Sequence, residues 1–421
     1  MSDTDRRNFL RRAGIVGAGA LGAGALSGQA DSANLLADGA PQNQAGADPA
    51  ATLPAVPFHG THQAGILTPR QPAGAWVAFD VTADTRQQLT DLFKAITNEV
   101  RFLTAGGVRP DPHGTFAPPT DSGTLGTDVP ADGLTATLGV GASLFDHRFG
   151  LAAYRPRRLQ AMTPFPNDNL DPARTGGDLL LQLCAGSQDT VLHALRQITR
   201  VTRGGMQIRW CEDGFASPAR PTGVPRNHFA FKDGIANPLP DAAPQLLWAA
   251  ASEPAWTRGG TYHVVRIIQM FTEFWDRVST QEQQQMIGRN RDSGAPLDGS
   301  KETDTPHYGA DPAGNVIPLT AHIRVANPRT AKTEKERIYR RGYNYDRGVD
   351  LNGNLDMGLL FNAFCQDLDR QYIAIQNRLV GEPMVDYISP VGGGYFFALP
   401  GVRDKSDHFA AGLLTLSSGA R

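Results

Sequence analysis

The spacing of apolar residues along this 421-residue chain changes in a set order, and that order restricts the folds open to it. Trp76-Val77-Ala78-Phe79-Asp80-Val81 alternates and predicts a strand. From Thr85 to Leu103 the apolar positions Leu89, Leu92, Phe93, Ile96 and Val100 fall at helical spacing. Leu134 to Val140 returns to a strand, after a Gly/Pro/Thr/Asp-rich loop over 106–132. A third strand runs from Asp178 to Ala185, with Leu179, Leu181 and Leu183 on one face. Ser187-Gln188-Asp189 then caps a helix through Ile198, and Met206 to Trp210 is a short fourth strand. Strand–helix–strand, twice over, is the ferredoxin-like pattern.

The pattern recurs downstream. Strands are expected at Phe229–Phe231, Gly259–Met270, Gly358–Phe364 and Gly394–Leu399, and helices at Thr272–Gln285 and Leu368–Leu379. A polar Gly/Pro/Asp-rich insertion occupies 289–317. The chain therefore belongs to the α+β class. Two ferredoxin-like domains of the dimeric α+β barrel type are expected, at 58–220 and 221–421, with antiparallel sheets and peripheral helices.

Composition bears on function mainly by exclusion. A net charge of −2 lacks the basic footprint of a nucleic-acid partner. Cys184, Cys211 and Cys365 lie far apart with no C-x-x-C spacing, so neither a zinc nor an iron–sulfur site is expected, and all three read as buried small apolar residues. His59 and His62 have ligand-like spacing but no third ligand nearby, and read as part of a structural N-terminal segment. Arg6-Arg7-Asn8-Phe9-Leu10-Arg11 precedes an apolar Gly/Ala-rich run, Ala13 to Leu26, that is too short for a stable membrane span. Residues 1–30 read as a twin-arginine export signal, which places the protein in the periplasm or outside the cell. The Ala/Pro/Gln/Asp-rich stretch 31–57 reads as a disordered linker.

Two stretches carry chemistry. Asn227 to Pro238 (NHFAFKDGIANP) breaks at Asp233-Gly234, and Leu319 to Asp346 holds His322, the loop signal Asn327-Pro328-Arg329 and the doublet Arg340-Arg341. A lone histidine is usually a satisfied core residue, and a charge run usually a solvated face. Taken together, Phe-Lys-Asp-Gly-Ile-Ala-Asn-Pro at 231–238, Ala-His-Ile-Arg-Val-Ala-Asn-Pro-Arg at 321–329, Arg340-Arg341-Gly342-Tyr343 and Gly392-Gly393-Gly394-Tyr395-Phe396-Phe397 resemble the dye-decolorizing peroxidases. Within that family they are most similar to the exported deferrochelatase type. The resemblance runs from near Phe58 to the C-terminus. One position departs from it: the family's Gly-x-x-Asp-Gly signature reads Ala230-Phe231-Lys232-Asp233-Gly234, and alanine disfavours a positive φ.

The resemblance implies one haem b per chain, in the C-terminal half. His322 would be the iron ligand, Asp233 the proton shuttle and Arg340 the charge that stabilises the departing oxygen of hydrogen peroxide. Arg341 is the alternative to Arg340; neighbouring strand residues face opposite ways, so one pocket takes only one of them. Gly234, Ile235 and Ala236 would approach the porphyrin. Asn327, Pro328 and Arg329 would meet the haem edge, with Arg329 on a propionate. Glu382, in Gly381-Glu382-Pro383-Met384-Val385-Asp386-Tyr387, is the candidate acid behind His322, a helix-start carboxylate being the alternative. Leu360, Phe361 and Phe397 fit either a pocket wall or the core. The expected function is an exported haem peroxidase that takes hydrogen peroxide and a bulky phenolic or dye-like donor, with haem itself a second substrate for iron release. The alternative is a haem-binding or haem-delivery protein without turnover, which would need His322 but not Asp233 or Arg340. Members of the family commonly self-associate, which makes a homodimer or higher homo-oligomer the expected assembly.

Overall fold

The computed structural model describes residues 52–111, 114–238 and 240–416. The signal and most of the linker expected over 1–57 lie outside the described residues. In the first half, strand β1 (Ala73–Val81) leads to helix α1 (Arg86–Ala105). Strand β2 (Thr135–Gly141), strand β3 (Leu179–Ala185), helix α2 (Gln188–Val201) and strand β4 (Met206–Phe215) follow. Thr85 starts α1 with a reciprocal cap, accepting from the Gln88 N–H while the Gln88 side chain reaches back. Ser187 starts α2 differently from expectation. Its hydroxyl bonds Asp132 and Thr190 side chains, at 2.6 and 2.9 Å, and makes no cap to the helix backbone. Strand β4 outruns its expected end at Trp210, because its whole length pairs with β1, from Val81↔Met206 to Ala73↔Phe215.

In the second half, β5 (Thr261–Met270) is followed by two short helices, α3 (Thr272–Trp275) and α4 (Thr280–Ile287). The single helix expected over Thr272–Gln285 is cut where Ser279 caps α4 through the Glu282 N–H. Helix α5 (His322–Ala326), strands β6 (Tyr339–Arg340), β7 (Tyr343–Val349) and β8 (Leu355–Cys365), helix α6 (Ala374–Leu379) and strand β9 (Ile388–Ala398) complete it. The strand expected at Phe229–Phe231 is a turn. Asn227 Oδ1 accepts from the N–H groups of Phe229 and Phe231, and Ala230 sits at φ +68°. Phe229 and Phe231 are still buried, packed with Trp275 and Met286.

The strands form one sheet in the order β5-β9-β2-β3-β1-β4-β7-β8-β6, and pairing of β5 with β8 closes it into a barrel. The outward side chains of β1 and β3, such as Val77, Phe79 and Leu181, pack on α1 and α2 through Leu89, Phe93, Ile96 and Val191. The opposite parity fills the interior with Trp76, Cys184, Trp210, Tyr343, Tyr345, Leu360 and Phe396. Polar groups inside are bonded in series. Trp76 Nε1 and Asn362 Nδ2 both donate to Gln182 Oε1, at 3.2 and 2.9 Å, and His263 Nε2 meets Asn362 Oδ1. No helix among the described residues is long and apolar enough to cross a membrane.

Candidate functional site

His322 and Arg340 stand at the ends of elements, while Asp233 and Arg329 lie in irregular segments between them. His322 is the first residue of α5, after the extended Ala321. Its Nδ1 meets both Glu382 oxygens, at 2.7 and 3.0 Å, and Glu382 is nearly fully buried just ahead of the turn Pro383–Tyr387. Among the described residues no hydrogen bond reaches His322 Nε2. Burial opposes protonation of this imidazole, but the charge and hydrogen bond of Glu382 outweigh it and hold its pKa above the ordinary histidine value. The His322 side chain is 28 % exposed, while Glu382 behind it is nearly fully buried.

Asp233 follows the Ala230 turn. Its N–H bonds the Pro225 carbonyl, and its Oδ1 lies 3.0 Å from Arg340 Nη1. Gly234 continues at φ +102°, a conformation open to glycine, and a side chain there would meet the Arg70 guanidinium at 3.3 Å. Ile235 is half-buried and Ala236 exposed. Asn237, which sequence reasoning passed over, ties the turn to β6. Its Oδ1 accepts from the Arg340 N–H at 3.0 Å and its Nδ2 donates to the Arg340 carbonyl at 2.6 Å. An asparagine amide thus mimics a neighbouring strand and fixes Arg340 against Asp233. The only sequence signal for it was its place inside the 231–238 motif.

The doublet divides as strand alternation requires. Arg340 points to Asp233, while Arg341 is almost fully buried and donates to the Thr68 and Pro69 carbonyls and to Gln71 Oε1. A third guanidinium, Arg70, lines the same slot as Asp233, with Asn227, Gly342 and Leu359. The slot holds about 10 Å³, roughly one water-sized molecule. A larger cleft of about 440 Å³, lined by Trp256, Arg258 and His408, contains none of these residues. It says nothing about this chemistry, because an arrangement of titratable groups defines a reaction site better than volume does.

Pro328 and Arg329 continue from α5, and Asn327 Oδ1 accepts from the Arg329 N–H at 3.0 Å while Arg329 takes φ +55°. Arg329 lies beside Tyr308 and Arg289. Burial, with repulsion from Arg329 and Arg340, pulls Arg289 down to about 10. Arg329 Nε is buried without a well-formed hydrogen bond among the described residues, and the Tyr308 hydroxyl lies against the Arg329 side chain. The neighbouring guanidinium groups of Arg289 and Arg329 fit a ligand bearing carboxylates, and a histidine held by a carboxylate at Nδ1 with Nε2 free fits a metal. Both are features of haem. Leu360 is inside the barrel and Phe397 in the helix-side core, while Phe361 is half-buried against Tyr372. His62 stacks on Trp248, centroids 3.6 Å apart, and Cys211 is exposed, unlike the buried Cys184 and Cys365.

Models of the Dyp-type peroxidase N-terminal and C-terminal regions match residues 63–216 and 224–403. The chain is 51 % identical over 367 residues to a deferrochelatase of Escherichia coli strain K12, covering 85 % of this chain and 87 % of the relative. The crystal structure of a DyP-type peroxidase from Cellulomonas bogoriensis aligns with TM-score 0.77 at 36 % identity, over 86 % of this chain and 98 % of that one. An oxyferrous complex of DtpA from Streptomyces lividans aligns with TM-score 0.77 at 31 % identity, with the same coverage.

Proposed function

The chain belongs to the Dyp-type peroxidase family and is a haem peroxidase, and from that premise we propose which of its residues do the work. The observation that carries the reading is the pairing of Asp233 with Arg340, at 3.0 Å, in a chain that also holds His322 against Glu382 at 2.7 Å. His322 Nε2 would bind the iron, with Glu382 fixing the ring through Nδ1 and raising its donor strength. Arg329, Arg289 and Tyr308 would hold the propionates, and Gly234 to Ala236 would border the macrocycle. When bound, haem supplies the two-electron reduction of peroxide. Asp233 takes the proton from the near oxygen of hydrogen peroxide and returns it to the departing one, and Arg340 stabilises the charge that builds there. A haem carrier would leave the Asp233–Arg340 pair without a use. The test is spectroscopic. The purified protein should show a Soret band that shifts on mixing with peroxide, and His322→Ala should lose that band. A full, unaltered haem spectrum in His322→Ala would overturn the ligand assignment.

Two finer statements belong to the same proposal. The 51 % identity to a deferrochelatase supports iron release from haem, with two protons replacing iron on the pyrrole nitrogens. Haem incubated with the protein should yield iron-free porphyrin fluorescence, and its absence under turnover conditions would count against this activity. The leader at Arg6-Arg7 supports export by the twin-arginine route to the periplasm, where bulky phenolic or dye-like donors are the expected reductants. Replacement of both arginines by lysine should keep the protein in the cytoplasm; normal export of that variant would mean another route.

A further inference from the structure

Strand β6 is two residues long and ends the sheet order, so it is held to β8 along one edge only. That ladder consists of Ala363↔Arg340 and Phe364↔Tyr339, and just beyond it the Arg341 N–H donates to the Asn362 carbonyl at 2.7 Å. Along an antiparallel strand, successive residues turn their N–H and carbonyl to opposite edges. Those of Arg340 therefore face the open edge, where water or another strand would take them. The half-buried Asn237 takes both instead, accepting from the N–H at 3.0 Å and donating to the carbonyl at 2.6 Å. The backbone of Asn237 is tied as well. Its N–H donates to the Gly234 carbonyl at 3.3 Å and closes the turn that follows Asp233, whose own N–H is fixed on the Pro225 carbonyl at 3.0 Å. The contacts form a closed circuit. It runs from Asp233 along the turn to Asn237, through the amide to the Arg340 backbone, and out along the Arg340 side chain to Asp233 Oδ1 at 3.0 Å.

We propose that Asn237 is a positioning residue of the peroxide site, acting through Arg340 by fixing where its guanidinium stands relative to Asp233. This rests on the reading of Arg340 as the charge that stabilises the departing oxygen of hydrogen peroxide. Such a charge lowers the barrier only if it is already aimed at the place where charge develops. The ion pair cannot supply that aim by itself. The Arg340 and Asp233 side chains are 28 % and 20 % exposed, and a pair open to water is a weak anchor for a long side chain. The aim must come from the backbone of Arg340, which has a two-residue ladder on one edge and Asn237 on the other. Asn237 Oδ1 and Nδ2 are both engaged by that backbone. The amide therefore contributes geometry to the reaction, and neither a proton nor a charge.

The test is a double-mutant cycle on the haem-loaded protein, read as the rate of the haem absorption change on mixing with peroxide, with haem occupancy checked in each variant. Asn237→Ala should slow that change about 10²-fold, the size expected when a reacting group is misplaced by about 1 Å. Arg340→Leu should slow it about 10²–10³-fold. Adding Asn237→Ala to Arg340→Leu should cost no more than about twofold further, because a residue that acts through Arg340 then has nothing left to position. Asn237→Asp keeps an acceptor for the Arg340 N–H but loses the donor to its carbonyl, and should fall between wild type and Asn237→Ala. If Arg340→Leu is slow while Asn237→Ala reacts at the wild-type rate, or if the two losses multiply in the double variant, the inference about Asn237 alone fails. Wild-type rates in Arg340→Leu would overturn the reading of Arg340 and this proposal with it. Should Asn237→Ala not hold haem, Asn237→Asp carries the same cycle; failure of both to hold haem would show a structural role and overturn the proposal.

Discussion

Asp233 and Arg340 stand in one ion pair, but loss of each should read differently. Asp233 moves a proton, so Asp233→Asn should flatten the pH profile of the peroxide reaction and slow it about 10²–10⁴-fold. Arg340 supplies fixed charge, so Arg340→Leu should lower the rate about 10²–10³-fold with little change in profile shape. The ranges overlap, so the shape decides. Arg341→Leu removes the clamp on Thr68 and Pro69, and should lower the melting temperature more than the neutral-pH rate. Stopped-flow mixing with peroxide, with haem occupancy checked in each variant, separates them. Wild-type rates in Arg340→Leu beside a slow Arg341→Leu would assign the charge to the wrong arginine.

The turn that carries Asp233 is an element whose strain can be measured. Ala230 holds φ +68°, where an L-residue pays about 1–2 kcal/mol relative to glycine. Glycine there also gains about 0.4–1 kcal/mol of unfolded-state entropy, which offsets part of the relief. Ala230→Gly should therefore stabilise the protein by about 0.5–1 kcal/mol, visible as a raised melting temperature, with the peroxide rate unchanged. A lower melting temperature would show that the Ala230 methyl contributes packing that outweighs its strain. The alternating phenylalanines at 229 and 231 suggested a strand, but the Asn227 side chain takes both of their N–H groups and no ladder remains to be made.

For the whole molecule, the buried polar series inside the barrel couples stability to pH. His263 is fully buried, its ring stacked on Phe364 at 4.4 Å, and burial pulls its pKa down to about 4. The unfolded chain takes up a proton near pH 6.5 while the folded chain does not, so stability is full above that value and falls as pH drops toward 4. The loss amounts to about 3 kcal/mol from this one group. Denaturant unfolding at neutral and acid pH should show that dependence in wild type and a weaker one in His263→Gln. Parallel losses in both would place the acid sensitivity elsewhere.

What the sequence by itself determined is local. The helix α1, the strands β1, β2 and β3, and the peroxidase motifs are each legible because period and motif are written within one short stretch. The pairing of His322 with Glu382, 60 residues apart, was expected only from the resemblance to the family. What only tertiary structure decided is non-local. Closure of both halves into one barrel depends on β5 meeting β8, and the split of the Arg340-Arg341 doublet depends on a strand that lies against Asn237 on one side and Thr68 on the other. Arg70 lines one slot with Asp233 only because the segment before β1 is folded back against the second half. Hydrogen bonds and charges act over a few ångströms of space, and separation along the chain does not encode those distances.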